Sequence, residues 1–322
     1  MESNNVDISV HMITYNHYGF IKEAIEGVLM QKCNYSFELV IGEDFSTDTT
    51  RQICEEYAEK YPDIIRLLPS TKNWGVQKNF FRTYEACRGK YLAFCEGDDF
   101  WTDPNKLQLQ ASFLQENKDY SGVSHNASKL FVNWNTAYSV KQAIKNNEDI
   151  SRISGIKGSF NEGRKETEIS FLEILDYWPI QTGTFFCRKF SLEEYPSFIY
   201  ETKHVDTMLF FTLWSKGKIK YINKICSTYR VHENGMTNFM KGVGYYKNKI
   251  KTFESLDDFF EFKYKKLFKS RIVAFMVQIS IDTKNNKERL SYLFKAIKMS
   301  PSIIFSKCRI VLSLLRKGII NG

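Results

Sequence analysis

Proline and glycine are sparse, at 6 and 17 in 322 residues, which excludes a collagen-like or Pro/Gly-rich disordered chain. Histidine is scarce too, at five, so any imidazole chemistry rests on a handful of positions. The seven cysteines (Cys33, Cys54, Cys87, Cys95, Cys187, Cys226 and Cys308) are odd in number, scattered, and form no C-x-x-C pair. That pattern argues against a disulfide framework or a zinc site and fits a reducing compartment. No apolar stretch reaches the roughly 18 uninterrupted residues that span a bilayer. The opening Met-Glu-Ser-Asn-Asn-Val-Asp also lacks a basic region followed by an apolar run, so no signal peptide is expected and the expected location is cytoplasmic. A Gly-rich phosphate loop is missing as well. After the first apolar run the chain reads Thr14-Tyr15-Asn16-His17-Tyr18-Gly19, a single glycine where G-x-G-x-x-G would be needed.

What is present is the composition of an ordinary folded protein, 43% apolar and 25% charged. Aromatics reach 15%, with 26 Phe and 18 Tyr, which suits strands, cores and pocket walls that stack on flat groups. The net charge of +8 favours phosphate-rich partners or anionic surfaces without choosing among them. Many of the basic residues fall late in the chain (Lys247, Lys249, Lys251, Lys263, Lys265, Lys266, Lys269, Arg271), where a solvated helix face is the commonest explanation.

The first part alternates strand and helix. Ile8 to Thr14 is an apolar, partly β-branched run, and Phe20, Ile21, Ala24, Ile25, Val28 and Leu29 recur at helical spacing. Phe37 to Gly42 reads as a buried strand, followed by cap candidates Ser46-Thr47-Asp48 and a helix through Ile53, Tyr57 and Ala58. Ile64 to Leu68 predicts a strand, Val76 to Ala86 a helix, and Tyr91 to Cys95 another strand ending at Glu96-Gly97-Asp98-Asp99. Such alternation implies a parallel sheet, whose ligands bind outside the carboxyl ends of the strands. Tyr15, Asp44 and the acidic cluster all fall there.

A helix with Leu107, Ala111 and Leu114 and a strand around Gly122 to His125 follow, and from about Ser139 to Glu168 the periodicity fails, which predicts a long loop able to cover a site. Beyond it come a short helix near Phe171 to Tyr177, a strand near Thr184 to Cys187, a helix from about Val205 to Lys216, and strands near Ile219 to Ile222 and Ser227 to Val231. The division expected is one domain over residues 1–240 and a basic helical region over 241–322. The mixture of apolar and basic residues from Ile303 to Lys317 fits packing onto the domain first, and peripheral contact with an anionic leaflet second.

Three carboxylates at Glu96, Asp98 and Asp99 repel one another unless a hard cation such as Mg²⁺ or Mn²⁺ takes their oxygens; an exposed acidic turn is the plainer alternative. Asp44, at a strand end, can accept from a nucleobase N–H or serve as a helix cap. His232, just past Tyr229-Arg230-Val231, can add an imidazole nitrogen, whereas His11, His17, His125 and His204 have no comparable context. Asp206 reads as a helix-start acid.

In order and spacing, Val10 to Asn16, Gly42-Glu43-Asp44-Phe45-Ser46-Thr47-Asp48, Asn73-Trp74-Gly75, Glu96-Gly97-Asp98-Asp99-Phe100-Trp101 and Tyr229-Arg230-Val231-His232 resemble family 2 glycosyltransferases over about residues 6–240. The resemblance implies an α/β, GT-A type fold: a Rossmann-like, mostly parallel sheet flanked by helices. It also implies inverting transfer from a nucleotide sugar, often a UDP-sugar, to a glycan or lipid-linked glycan, as in cell-surface polysaccharide synthesis. On it, Tyr15, Asp44, Asn73 and Asp98 match nucleotide-side positions, Asp98 and His232 match metal ligands for Mn²⁺ or Mg²⁺, and Asp206 matches the catalytic base. Glu96 and Asp99 complete the acidic group. Three residues depart from the family's pattern: Glu96 for an Asp, Phe45 for a small residue, and Val205 for an acid before Asp206. A related nucleotidyltransferase or a non-enzymatic basic module are the rival readings; nucleic-acid binding is not expected, since acidic groups rather than a basic groove sit at the strand ends.

Overall fold

The computed structural model describes residues 6–132, 155–176, 179–232, 235 and 241–302. It divides into two compact units, one of residues 1–191 and 210–235, the other of residues 192–209 and 236–322.

The first unit is built on a sheet in which ten strands join among the described residues. β1 (Ile8–Thr14), β2 (Phe37–Glu43), β3 (Ile65–Leu67) and β4 (Tyr91–Phe94) are its parallel half, ordered β3-β2-β1-β4. β1, β2 and β4 are buried on both faces, which is why they read as apolar runs rather than alternating ones. β1 holds the centre. His11 lies within it as a core residue, its Nε2 bonded to the Phe80 carbonyl at 3.0 Å, and burial pushes its pKa down to about 4. The helices α1 (Ile21–Leu29), α2 (Thr50–Lys60) and α3 (Val76–Ala86) follow the first three strands, and α1 turns Ile21, Ala24, Ile25 and Val28 inward at helical spacing.

The other half departs from the parallel pattern expected. β5 (Phe100–Trp101), α4 (Lys106–Glu116), β6 (Tyr120–Phe131), β7 (Gly155–Ser159), β8 (Thr167–Glu168), α5 (Phe171–Asp176) and β9 (Phe186–Arg188) come next along the chain, then β10 (Lys218–Val231). β9 runs antiparallel between β4 and β6, and β5 antiparallel beside β10. The strand expected near Thr184 to Cys187 begins later, because residues Thr182–Thr184 form a 3₁₀ turn first. Of the loop expected from Ser139 to Glu168, the described part contains β7 and β8; the rest lies outside the described residues, as does the segment from Ile303 to Lys317. The two strands expected within residues 219–231 are a single strand, β10, which pairs parallel with β6 through register shifts between Ile222 and Ser227.

The second unit holds α7 (Val243–Phe259), α8 (Lys265–Asp282) and α9 (Asn286–Met299), and the first residues of α6 (Val205–Lys216) belong to it. Phe253, Leu256, Phe268, Ile272, Met276, Ile279 and Leu293 form its apolar interior. Asn285 caps α9, its side chain accepting the Glu288 N–H at 3.0 Å. Lys263, Lys265, Lys266 and Lys269 are exposed, as a solvated helix face requires. Among the described residues no helix is long and apolar enough to cross a membrane.

Candidate active site

The carboxyl ends of β1, β2 and β4 carry short loops that are bonded to one another rather than left to solvent. Where β1 ends, Asn16 takes a left-handed backbone (φ 55°), and its N–H donates to Ser46 Oγ at 2.9 Å while its Oδ1 accepts the Thr47 N–H at 2.8 Å. Asp48 accepts from the N–H of Thr50 at 2.9 Å and of Tyr18 at 3.3 Å, so the expected helix-start acid also ties the β1 loop to α2. Buried Glu43 accepts the Ser46 N–H at 2.7 Å and the Phe45 N–H at 3.3 Å, closing the turn after β2.

Asp44 is buried beside this turn. Its N–H donates to the Thr14 carbonyl at 3.0 Å, and its two carboxylate oxygens accept the N–H groups of Trp74 at 2.7 Å and Gly75 at 2.9 Å. Asn73 Nδ2 closes the loop by donating to the Asp44 carbonyl at 2.9 Å. Burial raises the Asp44 pKa, against the two backbone donors and the Arg82 guanidinium. Asp44 and Asn73, read separately in the sequence, thus form one bonded unit; Tyr15, between two bonded neighbours, is 42% exposed.

At the end of β4 the chain turns within Glu96-Gly97-Asp98-Asp99, the Asp99 N–H donating to the Glu96 carbonyl at 3.0 Å. Only glycine fits at 97, since a Cβ there would lie 2.6 Å from Thr14 Cβ. The turn sends its carboxylates different ways. Asp99 is buried and accepts Gln181 Nε2 at 2.6 Å and the Arg230 N–H at 2.8 Å; burial, with Asp98 and Glu96 nearby, holds its pKa well above the usual carboxylate range. It therefore pins β10 to the turn rather than joining the cluster around Asp98. Glu96 is half-buried.

Asp98 meets His232, with Nε2 to Oδ2 at 3.1 Å, as the sequence suggested. It also meets His17, which the sequence reading set aside, with Nε2 3.9 Å from the same oxygen. One ligand atom from each of His17, Asp98 and His232 lies within 4.8 Å of the others, the donor set of two imidazoles and a carboxylate that a borderline divalent cation accepts. Although burial opposes it, the interactions with His17 and His232 hold the Asp98 carboxyl below the usual carboxylate range, and burial lowers the His17 imidazole. His17 is further oriented by Thr14 Oγ1, 3.1 Å from its Nδ1. The only sequence signal was its place two residues past Tyr15 in the same strand-end loop.

Arg230 backs the cluster. It is buried against the rings of Phe20 and Phe100, its Nη1 donates to the Asp98 carbonyl at 2.7 Å, and its Nη2 pairs with Glu23. Trp101 is core: 2% exposed, its Nε1 donates to the Gly183 carbonyl at 3.0 Å.

Asp206, in the first turn of α6, is described within the second unit. Its Oδ1 accepts the Thr207 N–H at 2.7 Å, and Lys249 Nζ donates to Thr207 Oγ1 at 2.9 Å. Burial raises the Asp206 pKa, and the Lys249 charge opposes it.

The sequence model of "Glycosyl transferase family 2" matches residues 9–192. The Mycobacterium bovis protein named "Uncharacterized protein Mb1547" is 41% identical over 118 residues, 37% of this chain and 34% of that protein. A Shigella flexneri protein named "dTDP-rhamnosyl transferase RfbG" is 37% identical over 94 residues, 28% of this chain and 32% of that protein. The chain therefore spans about a third of the length of these relatives. In fold it is similar to S. aureus TarS 1-349, solved in complex with UDP-GlcNAc, with a TM-score of 0.59 and 18% identity over 93% of this chain and 83% of that one.

Proposed function

The chain belongs to glycosyl transferase family 2 and has its GT-A type fold, and from that premise we propose that it moves a sugar from a nucleoside diphosphate to an acceptor hydroxyl by a metal-assisted, inverting displacement. The observation that carries this reading is the cluster of His17, Asp98 and His232 at the strand ends, beside loops organised around Asp44. Two imidazole nitrogens and a carboxylate suit Mn²⁺ better than the harder, oxygen-preferring Mg²⁺, and leave coordination positions for phosphate oxygens. When bound, the ion supplies positive charge against the negative charge that develops on the departing diphosphate.

The chain's own residues account for the remainder. Tyr15, Asp44 and Asn73 hold the nucleoside; Asp44 keeps acceptor capacity beyond its two backbone donors, enough for the N3–H of a pyrimidine. A UDP-sugar is the first choice of donor: the TarS structure contains UDP-GlcNAc and RfbG is named for a dTDP-sugar, both pyrimidines. Asp206 takes the acceptor proton as the oxygen attacks the anomeric carbon from the face opposite the diphosphate. Its raised pKa makes it a stronger base than an exposed aspartate. The acceptor proposed is a glycan or lipid-linked glycan of a cell-surface polysaccharide.

The test is calorimetric titration of nucleoside diphosphates with and without Mn²⁺, on the full chain and on Asp98→Ala. The proposal expects UDP or another pyrimidine diphosphate to bind with metal and the variant to lose that binding. Binding that ignores both metal and substitution would remove the roles given to Asp98 and the ion.

A further inference from the structure

Phe45 combines two unfavourable features at one position. Its backbone is left-handed, with φ at 58°, a conformation that glycine and asparagine adopt readily and a bulky side chain does not. Its ring is also 51% exposed and, among the described residues, stacks on no other ring. The turn itself explains the backbone, because Glu43 accepts both the Phe45 and Ser46 N–H groups there. It does not explain the phenyl group, since glycine would make the same turn without strain. Asn16, left-handed in the facing loop, is the contrast: its side chain is of the tolerant kind and is used, accepting the Thr47 N–H. Strain at an exposed ring that stacks on none among the described residues points to a partner outside the chain.

What surrounds Phe45 specifies that partner. The Asp44 N–H donates to the Thr14 carbonyl and the Asn16 N–H to Ser46 Oγ, so the loop that carries Phe45 is bonded to the loop that carries Tyr15. Trp74 is fastened to the same place by its N–H on Asp44, and Lys72 Nζ lies 4.5 Å from the centre of its ring. Three residues with exposed aromatic side chains, Tyr15, Phe45 and Trp74 at 42%, 51% and 38%, therefore lie on the loops that are bonded together at one buried carboxylate, Asp44. A flat ligand with a π-face and an N–H donor on its edge satisfies both features.

We propose that Phe45 is a donor-binding residue, whose ring covers one face of the donor's nucleobase while Asp44 receives its edge. This inference rests on the nucleoside diphosphate reading given above. Stacking contributes affinity for the base and none for the diphosphate, so a probe without a base separates the two.

The experiment is calorimetry of the full chain and of Phe45→Gly, Phe45→Asn and Phe45→Trp with Mn²⁺, using UDP, dTDP, GDP and inorganic pyrophosphate as probes, alongside thermal melts. Phe45→Gly and Phe45→Asn should bind UDP about five- to fifty-fold more weakly, bind pyrophosphate within about two-fold of wild type, and melt higher because the strain is relieved. Phe45→Trp should keep the affinity. Unchanged UDP binding by Phe45→Gly overturns the proposal, as does a parallel loss of pyrophosphate, which would mean collapse of the loop. If wild type binds pyrophosphate but no nucleoside diphosphate, the donor reading has failed and takes Phe45's role with it.

Discussion

Lys106 is fully buried in α4, with its Nζ donating to Gln110 Oε1 at 2.8 Å and lying 4.0 Å from the centre of the Trp101 ring. Burial pushes its pKa down from 10.5 to about 7, with Cys226 and Cys95 the main groups favouring its charge. An unfolded chain keeps that lysine protonated up to its ordinary value, whereas the native chain releases the proton above about 7. Over that window the unfolded state binds one more proton, so raising the pH favours the native state by up to about 1.4 kcal/mol per pH unit. Conversely, the contribution is lost as pH falls through the native value. Between pH 7 and 9 this amounts to about 2 kcal/mol, the slope being half-developed at pH 7.

Buried thiols oppose it. Cys54, Cys87 and Cys226, each pushed up to about 12, keep their protons when unfolded thiols lose theirs, so stability from them falls as pH rises. The Lys106→Met difference removes that background. Urea unfolding of both proteins at pH 7, 8 and 9 should show wild type gaining about 2 kcal/mol relative to the variant. A constant offset, set by the Gln110 oxygen left unpaired at about 1–3 kcal/mol, leaves the slope untouched. Parallel pH profiles would refute a lysine titrating near neutrality. The result bears on the site, since Gln110 also donates to the Thr184 carbonyl and Thr184 Oγ1 to the Gln181 carbonyl, and Gln181 holds Asp99.

Two further outcomes are expected. His17→Ala should weaken Mn²⁺ binding, read by calorimetry, at least ten-fold, because even residues that only orient a ligand cost about ten- to hundred-fold; unchanged affinity would return His17 to the status of a loop residue. For Asp206, whose pKa is raised by burial, the acid limb of kcat/KM should lie above the ordinary aspartate range, and Lys249→Met should carry it higher by removing the charge that lowers it. Asp206→Asn should abolish turnover without loss of stability at pH 7, where the native state disfavours the ionised form; a limb unmoved by Lys249→Met would dissociate that lysine from the base.

Much of the first half was legible because parallel strands buried on both faces and helices with one apolar stripe leave plain periodicities: β1 and α3 fall on the residues expected. β6 was read short for the opposite reason: Asn126 and Ser128 look like the end of a strand, yet they are buried, with Ser128 Oγ 2.7 Å from Thr228 Oγ1. β10 was read as two strands because Asn223, Lys224 and their neighbours interrupt the apolar run within it. Antiparallel insertion of β9 was invisible because three residues carry no pattern that distinguishes direction. At the candidate site, Asp98 and His232 were singled out because each follows a strand end, and the structure sets them 3.1 Å apart. His17 was missed because a histidine in a loop is defined by what lies across from it.

β10 has an uneven tolerance for changes in its own length. Its pairing with β6 is irregular at Lys218 and again between Ile222 and Ser227, whereas from Ser227 to Val231, one residue before His232, the two strands pair residue for residue. An added residue near Asn223 has slack to occupy, in the way bulges absorb extra residues. One added after Ser227 has none: it would exchange the two faces of the strand end, carrying the Arg230 guanidinium away from Asp98 and rotating His232 off its partner. Natural or engineered length variants of this strand should accordingly be accepted at one end and inactive at the other.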